Sequence, residues 1–179
     1  TDVRLIDVSD RLGLTDIFVL ASASNDRQTR AVIDAVEAIA PAMEIADDRR
    51  ADYSQLSKLG LYLVADNAWN EGAMLGRFDT TWKRHLRANT PHANDGLAAL
   101  RGEVFINNAS VGGGHGRDLM GHPLQALAWL ANEANARGEA LSAGDICILG
   151  SLVSSKFPVR GDVLRFELEG YAPIELYIT

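Results

Sequence analysis

Glu44 is a single carboxylate embedded among apolar neighbours. It stands in the short run Ala42-Met43-Glu44-Ile45-Ala46, where a charge is costly unless it is paired or ligated. If ligated, the ion to expect is a hard divalent cation such as magnesium, which takes oxygen ligands and keeps several waters. The plain alternative is a glutamate turned to solvent on an alternating strand. Asp66 and Asn67 close the apolar run 61–66, and Ser151 follows Gly150 after the run 145–149. Such positions either present binding groups or simply turn the chain. Lys156 could steady an acidic substrate or stand in solvent. His122 precedes Pro123, so its imidazole either caps the helix that follows or works as an acid–base group. His115 lies among glycines, in a lid or a solvated loop. Cys147, the one cysteine, sits in Ile146-Cys147-Ile148-Leu149 and reads as a buried structural thiol. A lone cysteine excludes an internal disulfide and a cysteine-based zinc cluster.

These side chains need a scaffold, and a chain of 179 residues is long enough for one domain with a real core. The hydrophobic share of 47% with 23% charged is that of a globular protein. A net charge of -7 disfavours a nucleic-acid groove or an anionic membrane surface. No run of about 18 apolar residues occurs, so no membrane span is expected. No basic-then-apolar leader follows Thr1, and a cytoplasmic protein is expected.

Along the chain, 3–8 and 17–21 read as strands, with a turn at 10–13. A helix over 27–40 puts Ala31, Val32, Ala35, Val36 and Ile39 on one face and stops at Pro41. The strands of 3–21 should join the main sheet system, because a two-stranded unit is marginal alone. The charged run 47–52 reads as a solvated face in which Arg49 could order Glu44. The run 61–66 reads as a strand, 80–94 as surface loop, and 112–116 as flexible. Residues 104–107 pair across the Asn107-Asn108 turn. Pro123 opens the best helix, 123–137, with Leu124, Leu127, Ala128, Leu130 and Ala131 as its stripe and Gly138 as its end; Trp129 reads as core. The segment around Gly161-Asp162 and the alternating 174–178 supply the last strands. Together these give an α+β, β-rich fold with two main helices.

Two resemblances follow. Ala65-Asp66-Asn67-Ala68-Trp69-Asn70, Gly121-His122-Pro123-Leu124, Ala128-Trp129-Leu130-Ala131-Asn132, Gly150-Ser151-Leu152-Val153, Lys156-Phe157 and Gly161-Asp162, in this order, resemble the 2-keto-4-pentenoate hydratase branch of the fumarylacetoacetate hydrolase family. Pro41 to Ile45 with Asp48-Arg49 resembles that family's preceding segment, and the likeness runs over 38–179. It implies a β-roll of the fumarylacetoacetate hydrolase type. There a divalent cation, magnesium or manganese, held by three carboxylates, binds a small-molecule α-keto acid, usually in a homo-oligomer. Glu44 maps to one ligand. The other two belong to a Glu-x-Glu pair, none of which occurs before Glu44, with Asp16 as a displaced substitute. Asp66, Asn67 and Ser151 become candidate catalytic residues, and Ser151, Lys156 and His122 candidate substrate contacts. The activity implied is hydration of a 2-hydroxy-2,4-dienoate to a 4-hydroxy-2-oxo acid, impaired by the incomplete ligand set.

Residues 1–37 resemble a different family. Val3 to Ser9, Leu14 to Ser22 and Ser24 to Gln28 are similar to the ribosomal silencing factor family, whose domain docks on the large ribosomal subunit. The chain therefore reads as a chimera joined within one helix. The alternatives to a hydratase are a scaffold with neither activity and a ribosome-associated module working through 2–37. With so acidic a chain, such docking would be to protein rather than RNA.

Overall fold

The computed structural model describes residues 4–7, 17–20, 26–86 and 96–179. Asp16 and the expected turn at 10–13 lie outside them.

The elements are β1 (Arg4–Asp7), β2 (Ile17–Leu20), α1 (Asp26–Ala35), β3 (Ala42–Ala46), α2 (Gly60–Ala65), β4 (Asn70–Leu75), α3 (Gly96–Ala99), β5 (Arg101–Ile106), β6 (Ala109–His115), α4 (Pro123–Ala136), β7 (Val163–Leu168) and β8 (Ile174–Tyr177). The fold is α+β, with antiparallel strands throughout. Four strands form a sheet in the order β6-β5-β7-β8, and β3 pairs with β4. Among the described residues β1 and β2 pair only with each other, so they do not extend the main sheet as the sequence suggests.

Helix α1 ends at Ala35, five residues before the expected stop. The cause is downstream. Ala40 precedes a proline, which disfavours helical backbone there, and Ile39 instead bridges Asp79, donating its N–H at 3.1 Å and accepting at 2.7 Å. Gly76 N–H then bonds Pro41 O at 2.9 Å, and the ladder runs on into β3–β4. The run 61–66 is not a strand. It forms α2, with Leu61, Tyr62 and Val64 exposed. A short apolar run carries no periodicity that separates the two states.

The supposed loop after Thr80 holds the centre of the core. Trp82 is fully buried and packs with Ile33 of α1, Leu97 of α3 and Leu124 of α4, ringed by Val32, Val36, Ile39, Leu86 and Leu100. Its indole N–H donates to Val36 O at 3.3 Å. The glycines 112–116 are not a flexible loop either: 112–114 lie in β6. A Cβ at Gly114 or Gly116 would collide with the backbone oxygen of Leu152 or Leu97, so close backbone approach explains the glycines. The β5–β6 hairpin turns at Asn107 and Asn108, both with positive φ, as the sequence predicts. Helix α4 begins at Pro123 as expected, and Gly138 (φ 79°) follows its end. Trp129 is only partly buried.

Asp79 fastens this arrangement. Its carboxylate accepts from Thr81 N–H (2.8 Å) and Oγ (2.7 Å), from Arg84 Nη1 (2.6 Å) and from Tyr171 OH (3.0 Å). Desolvation alone would raise its pKa, but these donors outweigh it and hold the carboxyl well below the ordinary 3.8. A depressed folded-state value means stability that is complete above the unfolded value and lost as pH falls toward the folded one. Urea midpoints of the native chain should therefore fall as pH drops below about 4. Asp79→Asn should be less stable near neutrality and flatter over that window; equal slopes for the two proteins would refute the role given to Asp79.

Candidate functional site

Strand parity decides what surrounds Glu44. Glu44 pairs with Ala73 and Ile45 with Gly72, but Ala46 pairs with Asn70, so Glu71 is the extra residue of a β-bulge. Paired residues share a face and alternate residues share a face. The bulge therefore turns Asn70 onto the face of Glu44, while Glu71 reaches Arg49. Asn70 Nδ2 donates to Glu44 Oε1 at 2.7 Å. Glu44 itself is exposed, so its carboxylate costs little desolvation there.

Before the bulge lies an unusual turn. Asn67, Ala68 and Trp69 have φ of 46°, 52° and 64°, three successive non-glycine residues in the left-handed region. Each costs roughly 1–2 kcal/mol, less for asparagine. Trp69 is buried, with its ring edge-on to Tyr53 at 6.1 Å. Its carbonyl accepts from Asp47 N–H at 3.0 Å. The turn delivers Asn67 and Ala68 to an open cleft of about 530 Å³, lined also by Glu44, Asn70, Leu130 of α4, Leu141, Asp145, Ile146, Cys147 and Ile148.

The expected site residues are distributed as follows. Glu44 and Asn67 line the cleft together. Asp66 stands beside it, its Oδ2 accepting from Arg49 Nε at 3.3 Å. Arg49 does not order Glu44: its guanidinium is shared by Asp47 (2.7 Å), Asp66 and Glu71. Ser151 is outside the lining, its hydroxyl donating to Val153 O. Lys156 Nζ donates to Ser154 Oγ at 3.1 Å and lies near Gly112. His122 is buried, its Nδ1 accepting Leu124 N–H at 3.0 Å as the cap of α4. His115 ends β6, its own N–H bonded to Asp118 Oδ2 at 2.7 Å. Sequence reading overlooked Asn70 and Asp145 as lining groups, because neither the bulge nor the irregular 145–150 segment leaves a periodic signal.

Among the described residues no three histidine, cysteine, aspartate or glutamate side chains come together to hold a metal ion. Glu44 and Asp145 are the cleft's carboxylates; Asp145 Oδ2 already accepts Ser142 N–H at 2.7 Å. The described residues thus do not complete the three-carboxylate set that the sequence resemblance implies.

Cys147 is half-buried rather than enclosed, and it faces the cleft. Burial raises its pKa, and the negative charge of Asp145 adds to the rise. A raised value means less thiolate, hence slow alkylation. Iodoacetamide at about pH 8 should modify Cys147 more slowly than a free thiol peptide, and Asp145→Asn should speed the reaction. An unchanged rate in that variant would exclude the electrostatic part.

Comparison with known proteins gives two likenesses. The family described as "Ribosomal silencing factor during starvation" matches residues 1–69, beyond the 37 residues carrying the sequence resemblance. The chain is 33% identical over 149 residues to a 2-hydroxyhexa-2,4-dienoate hydratase of Comamonas testosteroni, covering 83% of this chain and 51% of that protein. It is 30% identical over 145 residues to a 2-keto-4-pentenoate hydratase of Paraburkholderia xenovorans (strain LB400), covering 80% and 48%. A solved structure of 4-oxalocrotonate decarboxylase from Pseudomonas putida G7, complexed with magnesium and adipate, has a TM-score of 0.68 at 25% identity, over 83% of this chain and 52% of that one. The chain spans about half the length of the curated relatives it matches. Over 80% or more of its length the chain is similar to 2-keto-4-pentenoate hydratases and 4-oxalocrotonate decarboxylases, in line with the resemblance to that branch of the fumarylacetoacetate hydrolase family, while its first 69 residues match the ribosomal silencing factor family.

Proposed function

We propose that this chain carries the keto-acid-binding part of a lyase that hydrates a 2-hydroxy-2,4-dienoate to a 4-hydroxy-2-oxo acid, and that it is a feeble catalyst. The observation carrying this reading is the Glu44–Asn70 pair in a cleft whose wall also includes Leu130, Leu141, Ile146 and Ile148. An unsaturated tail fits such a wall, while the amides of Asn67 and Asn70 can donate to its carboxylate and C2 oxygen. Asp66 stands at the edge of the same site. The roll topology of the fumarylacetoacetate hydrolase family belongs to this reading, as does a homo-oligomer, supported by the exposed Leu61, Tyr62 and Val64.

Charge sets the limit on activity. A keto acid is an anion, and Glu44 and Asp145 in one cleft repel it unless a cation intervenes. A divalent cation, magnesium or manganese, is the cofactor of this reading, and Asp16 remains its proposed further ligand. With the ligand set incomplete among the described residues, no step of the reaction is assigned to the ion. Titration calorimetry with magnesium, with and without oxalate as keto-acid mimic, should give binding weaker than micromolar, reduced further in Glu44→Ala. Micromolar binding abolished by Glu44→Ala would instead mean a complete site, and the dienoate absorbance should then disappear at a normal rate.

A second reading is supported by the family match over 1–69: docking on the large ribosomal subunit, to protein rather than RNA given the net charge of -7. The chain should then co-sediment with large subunits in low salt; its absence from the pellet at micromolar concentrations would end this reading.

A further inference from the structure

The turn 67–69 holds three consecutive left-handed, non-glycine residues, and something must keep it from relaxing. Its two flanks are Asp66 and Glu71, and both carboxylates hold the same guanidinium. Arg49 bonds Asp66 Oδ2 through Nε at 3.3 Å, Glu71 through Nη2, and Asp47 Oδ2 through Nη1 at 2.7 Å. Arg49 is itself in a left-handed conformation (φ 52°), with its N–H on Asp47 Oδ1 at 2.9 Å. The turn's carbonyl at Trp69 accepts Asp47 N–H. Two strained turns therefore face each other and are tied by one planar fork, whose donors fit several carboxylate oxygens at fixed angles.

We propose that Arg49 is a positioning residue that clamps the 66–71 turn and so sets Asn67 and Asn70 at Glu44 in the cleft. It lies outside the cleft lining, and of the groups assigned to the site it touches Asp66 alone. Its influence passes through Asp66, whose neighbour is Asn67, and through Glu71, whose neighbour is Asn70. The bulge makes this possible by placing Asn70 at Glu44 while Glu71 bonds Arg49. The proposal rests on the keto-acid reading for its ligand, but the clamp is a property of the free protein.

The test therefore has two readouts. With 5-fluorotryptophan incorporated, the fluorine resonance of Trp69, assigned by its loss in Trp69→Phe, reports the turn without any ligand. Arg49→Ala should shift or split that line while those of Trp82 and Trp129 stay in place. Arg49→Lys, which keeps the charge and loses the fork, should fall between. Adding Ala68→Gly removes a Cβ from the left-handed turn, so the double variant should regain the native line; loss of an ordinary surface ion pair would not be rescued this way. Oxalate affinity in the presence of magnesium should drop by about tenfold in Arg49→Ala and recover in the double variant. An unmoved Trp69 line in Arg49→Ala, or no rescue by Ala68→Gly, overturns the clamp. If the native chain itself fails to bind oxalate, the keto-acid reading falls, and the fluorine spectra still decide the clamp.

Discussion

The pairing of residues 39–46 with 70–79 is the constraint on which the rest depends. It begins at the Ile39–Asp79 bridge, passes through Pro41 and Gly76, and ends where Ala46 meets Asn70 and Asp47 meets Trp69. At one end it delivers Asp79 to Thr81, Arg84 and Tyr171 and sets Trp82 under α1 and α4. At the other it delivers Glu44 and Asn70 to the cleft. One ladder thus joins the core to the chemistry. A slip of one residue would reverse every side chain on it, emptying the cleft face and exposing the groups that anchor the core.

Near the cleft the ladder is deliberately imperfect. A regular strand would pair Ala46 with Glu71 and put a second carboxylate beside Glu44, where like charges repel. The bulge replaces that carboxylate with an amide, which donates to Glu44 rather than opposing it. Glu71 meets Arg49 instead. The cost is the left-handed turn at 67–69, which Trp69 burial and its bond to Asp47 help to offset.

How much of this was legible in the sequence depended on whether the signal was local. Helix α4 was readable because Pro123, the apolar stripe and Gly138 lie within one segment. The β5–β6 hairpin was readable from Asn107-Asn108, whose positive φ needs exactly such residues or glycine. Trp82 was hidden, because a single indole in a polar stretch has no periodicity to betray its burial. Helix α2 was mistaken for a strand because its apolar residues are exposed and obey neither pattern. For the site, Glu44 and Asn67 could be nominated from their positions, and His122 as a cap. Asn70 could not, since its place at Glu44 depends on a bulge formed with residues far away in the chain.

A join between two families would be tolerated here for a physical reason. What α1 and the residue after it contribute to the core is an apolar face, Val32, Ile33 and Val36, against Trp82 and Leu124, and cores accept apolar surfaces of suitable volume from many sequences. A metal site is less forgiving, because it needs particular oxygens at particular distances. Glu44 lies inside the segment matched to the silencing factor family, yet its strand pairs with β4 and its carboxylate lines the cleft. Packing can therefore survive such a join where ligation need not. Substitutions in the face of α1 should act on stability alone, whereas the fate of the ligand set rests on whether the segment before α1 returns a carboxylate to the cleft beside Glu44.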